Sequence, residues 1–327
     1  MIGRGRDLSL IRDELAFTVK ATSPQRLDHY LLKSLDWKSR TRIQRLIREG
    51  YVRVNGEESK PSRRVIHGDA VTIRLSMGVD VPTTYDAIQF EVLYEDRWIV
   101  AVNKPAGLLV HPSGRHVYNT LMNYMHHRHR GEVTEEGQPV VPRLCHRLDR
   151  DTTGVLVVGK DSNVHRLVQH QFENRLVTKE YFALVEGTLR DEYGKATLRR
   201  TIDIPIGEGT SLATCLDHTA LKPSRTDVEV VREFSDYSLL ACRPFTGRQN
   251  QIRVHLAAIG CPIVGDQRYG KGVLRDEFPD RYLLHSRKLR FFHPRWKSSF
   301  ELGAELPEDF RTVVERLVTT NNGQRHA

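Results

Sequence analysis

The run His146-Arg147-Leu148-Asp149-Arg150-Asp151-Thr152-Thr153-Gly154 places acid, base and hydroxyl side chains directly ahead of the apolar stretch Val155-Leu156-Val157-Val158. A short apolar run of this kind suits a strand buried on both faces, so the polar residues are expected in a loop at the entrance of a core strand. Asp149 stands between Arg147 and Arg150. Positive neighbours favour the charged carboxylate and lower an Asp pKa by roughly 1–3 units when close. The expectation is an ionised side chain, able to act as a nucleophile or to steady a developing positive charge. Taken alone, the run also fits a charged turn in which the aspartate caps a Thr-Thr-Gly bend. Asp149 and Asp151 are not read as the carboxylate pair of a glycosidase, because residues two apart on a loop have no fixed separation.

The elements that must position this loop are legible as short strands interleaved with a few helices. Strands are expected over Phe90–Tyr94, Trp98–Asn103, Val155–Val158, Tyr181–Val185, Asp227–Glu233 and Ser238–Arg243. A helix over Ser162–Asn174 puts Val164, Leu167, Val168, Gln171 and Phe172 on one face behind a Ser162 cap. A second, over Gln249–Ile259, carries Ile252, Leu256 and Ile259, makes Arg253 its fifth residue and stops at Gly260. Strands and helices that do not alternate strictly argue an α+β fold with a largely antiparallel mixed sheet.

The chain has 327 residues and a formal net charge of +9, with 39% hydrophobic residues. That length fits two or three domains with real cores and excludes wholesale disorder. The charge is concentrated: Ser23–Ser76 holds 12 Lys and Arg against 6 Asp and Glu, a net of +6. An excess of this size in one segment favours a nucleic acid partner. Within it, Arg26–Leu35 and Ser39–Arg48 read as a helix pair, with stripes Leu27/Tyr30/Leu31 and Ile43/Leu46/Ile47 and a Ser39 cap. Arg40, Arg42, Arg45 and Arg48 project from the other faces. The turn Asn55-Gly56 follows Val52–Val54, and Gly68-Asp69 precedes an alternating strand over Ala70–Leu75. A helix pair with arginines on one side and a hairpin behind it makes a platform for phosphates, which position RNA without reading its sequence. In order, Arg26-Leu27-Asp28, Ser39-Arg40, Gly50–Gly56, Lys60-Pro61-Ser62 and Gly68-Asp69 resemble the S4-type RNA-binding domain.

The run His146–Gly154 has company in both directions. Asn103-Lys104-Pro105-Ala106-Gly107 precedes it, and Lys179-Glu180-Tyr181-Phe182-Ala183-Leu184-Val185-Glu186-Gly187 follows. Then come Thr246-Gly247-Arg248-Gln249-Asn250-Gln251-Ile252-Arg253-Val254-His255 and Pro262-Ile263-Val264-Gly265-Asp266 with Tyr269-Gly270. Together these resemble the RluA-type family of pseudouridine synthases over about Phe90–Pro294, and an S4-type domain ahead of them is most similar to the members acting on large-subunit (23S) ribosomal RNA. The resemblance implies a pseudouridine synthase fold. It implies Asp149 as the nucleophile that helps detach uracil from its ribose, Tyr181 packing on the uracil face and taking the C5 proton, and Arg253 pairing with Asp149. It also implies Arg147 filling the space of a displaced nucleotide, with Arg248 on the RNA. Such a uridine must be flipped out of its stack, at a cost of a few kcal/mol, part of which an aromatic platform recovers. One departure stands out: Asn250 replaces the histidine of the family's usual G-R-T-H-Q-I-R, and asparagine cannot carry a proton charge.

The implied reaction is an isomerisation, so no cofactor and no metal are expected, and neither a Walker loop nor a Rossmann fingerprint occurs. His126, His127 and His129 with Arg128 and Arg130 are read as a basic surface helix rather than a metal site. Asp266 is read as a turn residue, and Gly207-Glu208-Gly209 as a turn. Cys145, Cys215, Cys242 and Cys261 form no C-x-x-C and are read as reduced thiols. Charges through Met1–Arg12 argue against a signal peptide, and no stretch approaches the apolar length of a membrane span. A cytoplasmic, soluble, monomeric protein is expected. The domains are expected as an N-terminal extension over 1–22, the S4-type domain over 23–76, a linker over 77–87, a catalytic domain over 88–318 and a frayed tail over 319–327. Rival readings are a transfer RNA substrate, or an RNA-binding assembly factor without turnover. Charge reversal at Arg40, Arg42 and Arg45 is expected to weaken RNA binding and flatten its salt dependence. Equal affinity and an equal salt slope in filter binding would place the RNA elsewhere.

Overall fold

The computed structural model describes residues 8, 14–35, 39–74, 89–112, 118–207, 209, 211–217, 221–270 and 278–324. The linker expected over 77–87 lies outside them. The chain divides into two compact units, Met1–Ile88 with His111–Arg130, and Gln89–Val110 with Gly131–Ala327.

The N-terminal unit contains β1 (Glu14–Thr18), β2 (Gln25–Arg26), α1 (Leu27–Ser34), α2 (Arg40–Arg48), β3 (Val52–Val54), β4 (Glu57–Glu58), β5 (Arg64–Val65), β6 (Ala70–Arg74) and, after the excursion of the chain through the other unit, α3 (Leu121–Arg128). The apolar stripes of α1 and α2 pack with Val52, Val54, Val71 and Ile73 into one core. The sheet runs β1-β6-β3-β4, and β2 pairs β5. Residues Glu14–Thr18, expected in an extension, form instead an edge strand antiparallel to β6 from Glu14↔Arg74 to Thr18↔Ala70. Ser39 caps α2 as expected, accepting from the Arg42 N–H at 3.4 Å. The Asn55-Gly56 turn takes φ of 54° and 83°, the left-handed pair of a type I′ hairpin. The histidine tract is a helix only partly on the surface, since His129 is buried.

One carboxylate organises the helix pair. Asp28 is fully buried and accepts from Arg26 Nε at 3.0 Å, Gln44 Nε2 at 2.7 Å and Arg40 NH2 at 3.3 Å. Burial would push this carboxyl up; the hydrogen bonds from Arg26, Gln44 and Arg40 overcome that and hold it well below the usual carboxylate range.

The second unit is built on β7 (Glu91–Glu95), β8 (Ile99–Lys104), β9 (Arg143–Leu144), β10 (Thr153–Gly159), α4 (Ser162–Glu173), β11 (Thr178–Glu186), β12 (Arg199–Asp203), α5 (Leu212–Leu216), β13 (Arg225–Glu233), β14 (Tyr237–Pro244), α6 (Gln251–Ala258), β15 (Leu284–His293), β16 (Ser298–Gly303) and α7 (Glu308–Gln324). Its sheet runs β12-β13-β14-β11-β15-β10-β8-β7, with β16 on β15 and β9 on β10. The pairing is antiparallel except at one seam, where β10 meets β15 in parallel over Thr153↔His285 and Gly154↔Ser286. Every residue of β10 is buried, as its apolar run required. Gly154 lies in this seam with φ 107°, and a Cβ there would run into the Ser286 backbone carbonyl. Only glycine satisfies both constraints.

Helix α4 packs Val164 and Val168 on Val155 and Val157. Its cap is Asp161, which accepts from the N–H of Asn163 and Val164 at 2.9 and 2.8 Å, and not Ser162. An ionised carboxylate at the positive end of a helix competes better for these donors than a hydroxyl. Positions 319–324 continue α7 instead of fraying.

Because the Asp28 carboxyl is held low, its contribution to stability is present above the ordinary Asp pKa of about 3.9 and is lost as pH falls toward the depressed value. Asp28→Ala is expected to cost about 2–4 kcal/mol near neutrality, and the gap from wild type should narrow below about pH 4. Chemical denaturation across pH checks this; equal midpoints at pH 7 would show the cluster to be dispensable.

Candidate active site

The loop between β9 and β10 is fixed from its core side. Lys104, fully buried at the end of β8, donates to the carbonyls of Pro105 at 2.6 Å, Leu108 at 2.9 Å and Arg150 at 2.7 Å. Burial pushes its ammonium down to about 7, with Asp151 the main charge opposing that shift. Arg150 Nε donates to the Gly107 carbonyl at 3.2 Å. Arg281, paired with Asp309 at 2.6 Å, donates to the Asp151 carbonyl at 3.3 Å. Thr152 Oγ1 is 3.2 Å from the Tyr282 hydroxyl, and Thr153 Oγ1 is 2.8 Å from His285 Nδ1. His146 accepts from the Val157 N–H at 3.1 Å through Nε2 and stacks on Phe172 at 4.6 Å. Burial, with the charge of Lys179 next, pushes this imidazole down to about 3, so it stays neutral and structural.

These anchors leave the Asp149 side chain facing a cleft of about 550 Å³, whose walls include Arg147, Tyr181, Arg248, Asn250 and Arg253. That volume lies in the range of small-ligand sites. The structure therefore brings together six of the residues singled out by sequence. Tyr181 is the first residue after a bulge in the β11–β15 pairing and sits opposite Ser286; such bulges re-aim side chains beside functional sites. Burial pushes its phenol up to about 12.

Arg253 is engaged differently from expectation. Its Nε and NH2 fork onto Asp266 at 2.7 and 2.8 Å, and NH1 donates to Asn250 Oδ1 at 3.1 Å. The guanidinium lies over the Tyr282 ring at 4.0 Å. Its hydrogen-bonding partner is thus Asp266, and it reaches Asp149 through its field, as the foremost of the charges that lower the Asp149 pKa. Asp266 is a turn residue as read, accepting from the N–H of Arg268 and Tyr269 at 3.0 Å each, but it is also this arginine's counter-ion. Helix α6 begins at Gln251, because Asn250 takes φ 54°. Arg253 is therefore its third residue, not its fifth.

The Asp149 carboxyl is also shifted opposite to expectation. Burial raises it, and the charges of Arg253, Arg147, Lys104 and Arg268 do not fully offset that. The guanidinium that acts on it most strongly is already paired with Asp266, and among the described residues the carboxylate has no ion-pair partner of its own. Lys104, Lys179, Asp266 and Tyr282 were missed as site residues. Lys104 stood in a quoted segment, Asn103–Gly107, as a lysine ending an apolar strand at a Pro-Ala-Gly turn, but was given no role there.

The three N-terminal arginines belong to the other unit. Arg40 is half-exposed and already clamps Asp28, and Arg45 pairs with Glu49 at 2.7 Å. Arg40 is therefore in part structural, and its charge reversal would set a carboxylate against Asp28. Among the described residues no cluster of His, Cys, Asp and Glu could hold a metal ion, and no helix is long and apolar enough to cross a membrane.

A fold with one parallel seam in a largely antiparallel sheet, and a cleft joining a carboxylate, a tyrosine and an arginine, agrees with the enzyme class implied by the motifs. Residues 98–258 match the RNA pseudouridylate synthase family, and residues 25–71 match the S4 domain. An RNA pseudouridine synthase of Bacillus subtilis is 33% identical over 297 residues, covering 90% of this chain and 94% of that protein. Ribosomal large subunit pseudouridine synthase D of Yersinia pestis is 34% identical, covering 90% of this chain and 91% of its own length. Among solved structures, human RNA pseudouridylate synthase domain containing 4 superposes with a TM-score of 0.53 at 26% identity, over 70% of this chain and 93% of that one. The chain belongs to the RluA-type RNA pseudouridylate synthase family, whose members isomerise uridine to pseudouridine in RNA.

A raised carboxyl pKa means that the fold disfavours ionised Asp149. The stability of the neutral form is present below the ordinary Asp value and is lost as pH rises through the folded-state pKa. Asp149→Asn should therefore melt higher than wild type at pH 7–8, and the gain should vanish as pH falls toward 4. A lower melting temperature at neutral pH would mean that the ionised carboxylate stabilises the site.

Proposed function

We propose that this chain isomerises uridine to pseudouridine in large-subunit (23S) ribosomal RNA, with Asp149 as the nucleophile. The observation that carries the reading is the Asp149 carboxylate lining the same cleft as Tyr181 and Arg253. The substrate assignment rests on similarity to relatives named for the large ribosomal subunit and on the S4 domain.

In the proposed reaction the target uridine is unstacked and flipped into the cleft. The carboxylate bonds to the sugar or to the base. By either route the N1–C1′ bond breaks, a C5–C1′ bond forms, C5 gives up its proton and N1 gains one. A partly desolvated carboxylate has less hydration to shed before it attacks, which suits the raised pKa. The Tyr181 phenol is protonated at neutral pH and serves by packing on the uracil face; it can accept the C5 proton only from a small phenolate fraction. Arg253, fixed by Asp266, holds positive charge near the carboxylate without quenching it by direct contact. Arg147 is exposed on the loop and suits the space a flipped nucleotide leaves, while Arg248 meets the backbone.

Purified protein is expected to release tritium from RNA labelled at uridine C5. Asp149→Asn should reduce release by at least about 10⁴-fold, the scale seen when a nucleophile is removed, while RNA affinity survives. Normal turnover by that variant would sink the mechanism. Pseudouridine mapping in a strain lacking the protein should show loss in large-subunit RNA, whereas loss confined to transfer RNA would move the substrate.

A further inference from the structure

The cleft extends beyond the residues the proposed reaction uses. At its mouth stands Phe245, a large apolar side chain left 48% exposed directly before Thr246-Gly247-Arg248. The Arg225 guanidinium covers one side of its ring at 4.9 Å from the centroid. The backbone holds the pair rigidly: Phe245 N–H donates to the Arg225 carbonyl at 3.0 Å, and Arg225 N–H donates to Thr246 Oγ1 at 3.2 Å. Next to it, the Lys179 ammonium makes, among the described residues, a single hydrogen bond, to the Thr246 carbonyl at 3.2 Å. The exposed part of the phenyl ring, backed by a stacked arginine, makes a sequence-tolerant surface for a nucleobase.

We infer that the mouth of the cleft is a subsite for a nucleotide adjacent to the target uridine, its base stacked on Phe245 and its phosphate met by Lys179. This deepens the reading of the cleft as an RNA site and rests on it. Burial and the charge of Arg175 push the Lys179 ammonium down to about 8. A phosphate placed here would offset both effects. Stacking on a fixed ring would also hold the neighbour out of the helical stack, helping to keep the uridine flipped.

The test uses the full chain carrying Asp149→Asn and a short RNA stem-loop with 2-aminopurine placed on one side or the other of the loop uridine. Binding should quench the fluorophore at one of the two positions. Phe245→Ala should abolish that quench, and Phe245→Tyr should restore it. In the active protein, Phe245→Ala should raise KM for C5-tritiated large-subunit RNA roughly five- to a hundred-fold, with the loss concentrated in KM and not kcat. Unchanged quenching at both positions in Phe245→Ala, or an unchanged KM, overturns the subsite. A Phe245→Ala protein that melts like wild type excludes misfolding as the cause. The fluorescence arm needs no turnover, so failure of the proposed chemistry leaves it readable.

Discussion

Among the described residues the Lys104 ammonium has no carboxylate in hydrogen-bond contact, and its three N–H groups meet three backbone carbonyls, those of Pro105, Leu108 and Arg150. The first two close a turn at the end of β8; the third lies in the loop that presents Asp149. A protonated amine has one donor for each carbonyl, whereas a neutral amine would leave one buried acceptor unpaired, which is costly in a low-dielectric interior. The three acceptors therefore favour the charged form against the burial that pushes the group down to about 7. This contact ties a loop to a strand two positions removed from β15 in the sheet. Arg281 and Tyr282 tie it from the other side of the seam, so the loop carrying Asp149 is anchored on both sides.

Preorganisation of the loop sets up the electrostatics of the cleft. A carboxylate in water would relax toward whichever cation is nearest. Here Arg253 is already held by two hydrogen bonds to Asp266 and by the faces of Tyr282 and Tyr269. It cannot swing onto Asp149 without breaking a buried bidentate pair, a change that costs several kcal/mol. The arrangement keeps a cation close enough to favour ionisation yet unavailable as a contact partner. The fold accepts an under-compensated carboxylate at its centre, the kind of local destabilisation expected where reactivity is stored.

Sequence reasoning succeeded where a pattern has one physical meaning. The unbroken, mostly β-branched apolar run Val155–Val158 suited an interior strand and is one, and the Ile43/Leu46/Ile47 stripe and the Asn55-Gly56 turn were similarly explicit. The motifs located Asp149, Tyr181 and Arg253, and those three do share a cleft. It failed where an outcome depends on partners distant in sequence. Asp266 read as a turn residue because its backbone role is local, while its bond to Arg253 spans 13 positions. Asp28, in the first turn of α1, gave no hint of the Arg40 and Gln44 side chains that converge on it from α2. The sign of the Asp149 shift was missed for the same reason: neighbours at 147 and 150 are visible in a sequence, but the walls that strip its water are not. Strand β1 was overlooked because its partner, β6, lies more than fifty residues away.

Asn250 shows how a departure from a motif can preserve its physics. The backbone there takes φ 54°, ending the approach to α6 in the left-handed region. Asparagine and histidine are both enriched in that region among non-glycine residues. The side chain must also do two things at once: accept from Arg253 NH1 at 3.1 Å and donate to the Tyr269 hydroxyl at 3.0 Å. An amide does both with its two ends, and a neutral imidazole does both with its two nitrogens. What the position requires is a neutral donor–acceptor tolerant of a left-handed backbone, since an imidazolium beside Arg253 would set two cations together. On this argument the absent proton charge is no loss, because asparagine itself supplies the acceptor for Arg253 and the donor to Tyr269.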